Sequence, residues 1–176
     1  MSFKPLKITV YVLLCLCMSL ISTDVYGSGA LSEAESKAVT TAINTSKLGF
    51  DVYLEFFKVW DKQVFASTSV AQKRNMSAVA SLMDSYDMDI PLDPNAPGSF
   101  SLPGYSAMYH GYISSGSASL EDAYRAAVDV ETLCIDEISG LLRDPHVSTP
   151  AVRRLLNKLL STSQENLDRF TKLLSQ

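Results

Sequence analysis

Residues 32–60 read SEAESKAVTTAINTSKLGFDVYLEFFKVW, and this stretch decides the fold class. It opens as a capping box, in which Ser32 accepts a hydrogen bond from the helix and Glu35 reaches back to the cap. Apolar residues then recur at helical spacing, namely Val39, Ile43, Phe50, Leu54 and Phe57. Ser46 interrupts this apolar stripe near its middle. The stretch therefore predicts a helix to about Trp60 that carries a polar group on its buried face.

Three more long helices are indicated by the same kind of pattern. The second runs from about Gln63 to Tyr86, with inward positions at Phe65, Met76, Val79 and Met83. The third is capped by Ser119 and reaches about Arg143. The fourth begins with Thr149 at the N-cap and Pro150 at the first helical position, where the missing N–H of proline costs nothing.

A long connection separates the second helix from the third. Residues 87–104 contain four prolines and two glycines, so they cannot form a regular helix. A short helix is predicted from Tyr105 to about Ser114. Since no segment shows strand alternation, we predict an all-α, up-down-down-up four-helix bundle with a long crossover and a short extra helix.

Polar residues also interrupt the other three apolar stripes. Gln72 and Asn75 do so in the second helix, Glu131 in the third, and Ser163 and Asn166 in the fourth. Bundles that hold a metal in the core place carboxylate and imidazole ligands at such positions. Most of the polar groups here are neutral amides and hydroxyls, which are poor ligands. Because buried polar groups must be paired, we expect them to bond one another, Tyr53, Tyr124 or trapped water.

The first 27 residues are typical of a secretory signal peptide. Lys4 and Lys7 precede the apolar stretch 8–21, and Val25 and Gly27 occupy the −3 and −1 positions of a cleavage site after Gly27. The alternative is an uncleaved anchor, although 14 apolar residues are short for a span, which needs roughly 20. We expect residues 1–27 to be removed and residues 28–176 to form one extracellular domain without membrane association.

Charge and cysteine content narrow the class of protein. Without Lys4, Lys7 and Asp24, 13 basic and 18 acidic residues remain, a net charge of −5, which argues against a nucleic-acid partner. Cys134 is the one cysteine after residue 27; its place on an apolar stripe indicates a buried thiol and disfavours a disulfide-linked dimer. Two glycosylation sequons begin at Asn44 and Asn75. Asn44 is the glycosylation candidate, since it could point outward, whereas Asn75 lies near the buried face.

Four segments resemble, in order, a family of ferritin-like domains of unknown function from bacteria and archaea. Residues 47–53 (KLGFDVY) are similar to its motif KLARDVY, and residues 72–79 (QKRNMSAV) to EQRHMDAV. Residues 116–123 (GSASLEDA) are similar to GSxSLEEA, and residues 161–170 (STSQENLDRF) to GSxNHLRAF. The resemblance covers about residues 32–174 and implies a ferritin-like bundle.

The departures from that family pattern fall on its ligand positions. Where the family has glutamate before the Lys-Leu pair, this chain has Ser46; where it has Glu-x-x-His, this chain has Gln72 and Asn75. Asn166 replaces a histidine late in the last helix, and Ser163 is serine in the family pattern too. The resemblance therefore implies a degenerate metal site in which Glu131 is the one inward carboxylate left, and no cofactor is expected.

We expect from these observations a secreted, non-enzymatic structural or binding protein, with an extracellular matrix or mineralised secretion as its setting. One alternative is a metal-binding protein or metal-dependent oxidoreductase with a rearranged site formed by Glu131, Asp129 and Asp136. Another is a carrier that holds a small apolar ligand in the bundle core. The two histidines, His110 and His146, fall outside the long-helix stripes and are expected at the surface.

Partner recognition is expected, if anywhere, in residues 87–104 and the short helix that follows them. Loops of this length are often functional. This one leads into a group of aromatic side chains of the kind favoured at interfaces, including Phe100, Tyr105, Tyr109 and Tyr112. The alternative is that these aromatic residues fold over the open end of the bundle and belong to its core.

Overall fold

The computed structural model describes residues 29–176, and these form five helices with no strand among them. The all-α prediction is therefore confirmed. The predicted signal peptide and its cleavage after Gly27 lie outside the described residues. Within residues 29–176, no helix is both long enough and apolar enough to cross a bilayer.

The helix boundaries follow local signals in the sequence. The helices are α1 (Glu33–Trp60), α2 (Gln63–Asp84), α3 (Tyr105–Gly116), α4 (Leu120–Arg143) and α5 (Pro150–Leu174). Both halves of the predicted capping box at Ser32 are present, and Ser119 caps α4 by accepting from the N–H of Asp122. Asp61 ends α1 in the left-handed conformation, with φ of 49°. Only α2 and α3 differ from the prediction, each by two residues at its C-terminal end.

Two helical hairpins, α1–α2 and α4–α5, pack against each other to form the bundle. Helix α1 runs antiparallel to α4, since Glu35 at its start contacts the residue before α5, Thr149, while Tyr53 near its end contacts Ala127. Helix α2 packs against α5. These contacts give the predicted up-down-down-up order. Thr149 occupies the predicted N-cap position before Pro150, but its side chain makes no capping bond; instead its N–H donates to Glu35 at 2.7 Å.

The crossover, residues 85–104, runs along α1, and α3 then packs against α1 and α4. Its path is fixed by Asn44, whose side-chain oxygen accepts the N–H of Ser101 at 3.0 Å. At the far end of α3, Trp60 Nε1 donates to the carbonyl of Gly116 at 3.0 Å. Gly116 must lack a side chain, because a Cβ there would lie 2.2 Å from Phe56 Cζ. Helix α1 is thus covered on more than one face.

This cover changes which residues of α1 form the core. Val39 and Ile43 are buried as predicted, but Phe50, Leu54 and Phe57 are only half-buried. The buried apolar residues in the C-terminal half of α1 are instead Leu48, Val52, Tyr53 and Phe56. A single apolar stripe is the pattern of a helix with one buried face. Helix α1 contacts α2, α4, α3 and the crossover, so its buried residues extend around most of its circumference.

Aromatic side chains at the start of α3 and just before it pack against the side of the bundle formed by α1 and α4. Tyr105 and Tyr109 are buried, and the ring of Phe100 lies 5.7 Å from that of Tyr105. Tyr105 also bridges helices: its hydroxyl donates to Glu137, which accepts from Thr45 Oγ1 at 2.7 Å. These two tyrosines therefore belong to the core, as the alternative to the recognition-surface hypothesis supposed.

Candidate functional site: a polar layer in the bundle core

Six polar side chains predicted to face inward are all buried. They are Ser46, Gln72, Asn75, Glu131, Ser163 and Asn166. Each of the four long helices contributes at least one of them, because each interrupts the apolar stripe by which its helix packs. We call the hydrogen-bonded group formed by Gln72, Asn75, Glu131, Asn166 and Tyr53 the polar layer.

Glu131 is the centre of the polar layer. Its Oε1 atom accepts hydrogen bonds from the Tyr53 hydroxyl at 2.8 Å, Gln72 Nε2 at 3.2 Å and Asn166 Nδ2 at 3.1 Å. Asn75 Nδ2 in turn donates to Gln72 Oε1 at 3.3 Å. Helices α1, α2 and α5 are thereby each bonded to one carboxylate oxygen of α4. The polar residues thus bond one another and Tyr53, as expected. Within residues 29–176, Tyr124 forms no hydrogen bond with them.

The two serines play lesser roles. Ser46 is buried but donates no hydrogen bond to Glu131 among the described contacts. Ser163 lies beside the Glu131 carboxyl group, yet Oε2 has no hydrogen-bond partner within residues 29–176. The carboxylate is therefore paired on one oxygen only.

Burial raises the pKa of Glu131 above its ordinary value, although neighbouring polar side chains act to lower it, namely Tyr53, Ser163, Gln72 and Asn166. Among the described residues, no lysine or arginine bonds to it. Desolvation prevails because neutral donors offset only part of the cost of burying a charge. The same burial raises the pKa of the Tyr53 hydroxyl and the Cys134 thiol, with the Glu131 carboxylate adding to each rise. Cys134 is consequently a buried, inert thiol.

Replacing Glu131 with Gln is expected to stabilise the fold at pH 7. A folded-state pKa above the unfolded one means that this group contributes most stability at low pH and loses it as the pH rises through the folded pKa. The amide keeps an acceptor for the three donors without the charge. Urea unfolding at pH 4 and pH 7 should show a gain that is larger at pH 7.

The exposed Glu165→Gln variant is the control and should change stability little at either pH. A loss of about 3–5 kcal/mol in Glu131→Gln would contradict this account, since that is the cost of breaking a buried charge pair.

The donor set does not fit a di-metal centre. Such centres combine several carboxylates with imidazoles, because these balance the charge of the cations. Here the one carboxylate is bonded to the neutral amides of Gln72 and Asn166, which carry no charge to balance metal cations. Within residues 29–176, no three His, Cys, Asp or Glu side chains converge as a metal site would require.

The alternative ligands lie elsewhere. Asp129 and Asp136 are exposed, whereas Glu131 is fully buried, so these three side chains of α4 do not converge. His110 and His146 are exposed, as expected. The rearranged site around Glu131 therefore lacks the geometry that it would need.

The expectation that Asn44 could point outward is wrong. Asn44 is fully buried, and its Nδ2 donates to the carbonyl of Thr40 and to Ser101 Oγ, each at 2.8 Å. A glycan would be attached to that nitrogen, so glycosylation is incompatible with this packing. Asn75 is buried as expected.

A buried ion pair beside the polar layer was not predicted. Lys47 Nζ donates to Asp51 Oδ2 at 2.5 Å and to the carbonyl of Ala96 at 2.9 Å. The same Asp51 oxygen accepts the N–H of Gly98 at 3.0 Å. The pair thus anchors the crossover to α1. The available signal was the KLGFDVY motif, which brings Lys47, Asp51 and Tyr53 onto one helix.

Comparison with known proteins identifies a family. A family model described as "Uncharacterized protein domain (DUF2202)" matches residues 36–176. An uncharacterized protein of Methanocaldococcus jannaschii is 23% identical over 145 residues, covering 82% of this chain and 77% of the relative.

Two solved structures are similar in fold. The crystal structure of a hypothetical protein from Methanococcus jannaschii superposes with a TM-score of 0.79 at 23% identity, covering 84% of this chain and 83% of that one. A DUF305 fragment from Deinococcus radiodurans gives a TM-score of 0.65 at 11% identity, covering 84% and 99%. At these identities the likeness shows the fold alone.

Proposed function

The chain belongs to the uncharacterized DUF2202 domain family, and we propose that it is a secreted, non-enzymatic structural or binding protein. We further propose that its bundle is ferritin-like and that the polar layer stands where related bundles bind metal. The leader-like residues 1–27 support secretion, and the net charge of −5 after Gly27 suits an extracellular matrix or mineral-associated setting.

One observation carries the non-enzymatic part of the proposal, namely the three neutral donors on Glu131 Oε1. A metal at this place would need oxygen or nitrogen lone pairs directed at it, whereas the layer directs N–H and O–H groups at its one carboxylate. The arrangement joins all four long helices and so serves to fix their register. A polar core group that sets packing specificity is a known use of buried polar residues.

Restoring the family's ligand types tests this proposal. The quadruple variant Ser46→Glu, Gln72→Glu, Asn75→His and Asn166→His should bind iron or manganese, and its thermal unfolding should shift upward with added metal. The wild-type protein should show neither effect. Metal content is measured by elemental analysis after dialysis against a chelator, and unfolding by circular dichroism.

The matched control introduces the same residue types at exposed positions of α2 and α5, two of the three helices that the quadruple variant alters: Ser67→Glu, Ser81→Glu, Asn157→His and Gln164→His. This control should bind no metal stoichiometrically. About one or more tightly held metal ions per wild-type chain would overturn the proposal and favour a metal-dependent oxidoreductase.

A further inference from the structure

We propose that an apolar groove under the first part of the crossover binds a small apolar molecule that is neutral or positively charged. The crossover groove, as we call it, is lined by residues of α1, α2 and the crossover, namely Ile43, Met76, Ser77, Ala80, Ile90, Leu92 and Pro94. None of the polar-layer residues lines it. The inference therefore holds independently of whether the core binds a metal.

The size of the crossover groove indicates a small molecule. Its volume is about 310 Å³, at the lower end of the range of roughly 300–1,000 Å³ for ligand pockets. The helix wall is apolar, and Ser77 Oγ donates to the carbonyl of Lys73 at 3.0 Å, so its hydroxyl is already engaged. A docked helix of two turns would be about 11 Å long and roughly 10 Å across, which is larger than this volume.

The side of the groove that the crossover forms, which we call the crossover wall, indicates an apolar ligand. Ile90, Leu92 and Pro94 line it, and Ile90 remains 46% exposed. Burying such a side chain against a ligand removes apolar surface from water, and this stabilises the complex. A ligand seated between Ile90 and Ala80 would bury both walls.

The charges near the wall indicate which apolar molecules would bind. Asp87, Asp89 and Asp93 flank the lining residues of the crossover and are exposed. Lys73, one turn from Ser77 on α2, has its Nζ over the Phe50 ring at 5.9 Å. Because these three carboxylates adjoin the lining residues along the chain, we infer that they repel an anion and favour neutral or cationic ligands.

A matched pair of fluorescent probes tests the inference. N-phenyl-1-naphthylamine is neutral, and 8-anilinonaphthalene-1-sulfonate has the same ring system with one added sulfonate. The neutral probe should bind the purified protein saturably with one site per chain. The anionic probe should bind at least about tenfold more weakly, and that difference should shrink at high salt.

Ser77→Phe should fill the crossover groove and weaken binding of the neutral probe by at least about tenfold. Ser67→Phe is the control: Ser67 is another exposed serine of α2, and its hydroxyl also donates to a carbonyl of the preceding turn. It should leave binding unchanged. Ile90→Asp, in the exposed crossover wall, should weaken binding similarly, and urea unfolding checks that each variant folds.

Three results would overturn the inference: no saturable binding of the neutral probe, equal binding by Ser77→Phe and wild type, or equal affinity for the two probes. Loss of binding in Gln72→Leu without loss in Ser77→Phe would instead place the probe in the bundle core. That result would overturn this site and support the core-carrier alternative.

Discussion

Replacing Lys47 with Met is expected to lower the free energy of unfolding by about 3–5 kcal/mol, the cost of leaving a buried charge without its partner. The Lys47 side chain is 0% exposed and that of Asp51 1% exposed. Burial raises the pKa of Asp51, and the Lys47 ammonium and the Gly98 N–H offset part of that rise. Without Lys47, the Asp51 carboxylate loses its charged partner and keeps only the Gly98 N–H, and the Ala96 carbonyl loses its donor.

The contrast with a surface pair makes this expectation specific. Lys58 donates to Glu55 at 2.9 Å on the same helix, but its side chain is 56% exposed. Lys58→Met should therefore change stability by less than about 1 kcal/mol. Urea unfolding of both variants measures the difference.

The double variant Lys47→Met, Asp51→Leu separates loss of a partner from loss of the pair. It should be more stable than Lys47→Met alone, because no charge is left buried. Its free energy of unfolding should still be lower than that of the wild type, since the Gly98 N–H and the Ala96 carbonyl remain without partners. If Lys47→Met lowers the free energy of unfolding by less than about 1 kcal/mol, this expectation is wrong. The crossover would then open enough for water to reach Asp51.

The helices could be predicted from the sequence because their boundaries depend on local chemistry. Ser32 with Glu35, Ser119 and Pro150 each act within one turn of the residue that starts a helix. The loop character of residues 87–104 is equally local, since proline removes its own N–H. No partner outside the segment is needed for any of these effects.

The interior of α1 could not be predicted in the same way. The rule that charges face solvent places Lys47 and Asp51 outside, and on an isolated hairpin they would lie there. They are buried because the crossover folds back over them and supplies Ala96 and Gly98 as partners. The cause lies about 50 residues along the chain, where single-helix periodicity carries no information.

The polar layer could be predicted only in part. Interrupted stripes predict which polar residues face inward, because helical spacing fixes the face of each residue. They do not predict that Gln72 and Asn166 share one oxygen of Glu131 while Ser46 takes no part. That outcome depends on distances between helices. Gly49 contributes, since a Cβ there would lie 3.1 Å from the side chain of Gln72.

Glu35 shows how a local signal can conceal a long-range role. The capping box assigns it to Ser32, whose N–H donates to Glu35 Oε2 at 3.1 Å. Its other oxygen, Oε1, accepts the N–H groups of Ser148 at 3.1 Å and Thr149 at 2.7 Å, at the start of α5. One carboxylate thus joins the first and last helices. Burial acts to raise its pKa, but these hydrogen bonds prevail and lower it from 4.5 to about 2.

Replacing Glu35 with Gln is therefore expected to lower the free energy of unfolding at pH 7 by about 3 kcal/mol, since each pKa unit corresponds to about 1.4 kcal/mol. Because the folded-state pKa is below the unfolded one, this stabilisation is complete above pH 4.5 and is lost as the pH falls toward 2. In urea unfolding measured from pH 7 to pH 2, the free energies of unfolding of the wild type and of Glu35→Gln should thus converge as the pH falls toward 2. Glu33→Gln, an exposed change at the same helix start, should cost only about 0.3–1 kcal/mol. Equal losses in the two variants would mean that Glu35 acts through the α1 dipole alone and does not join α1 to α5.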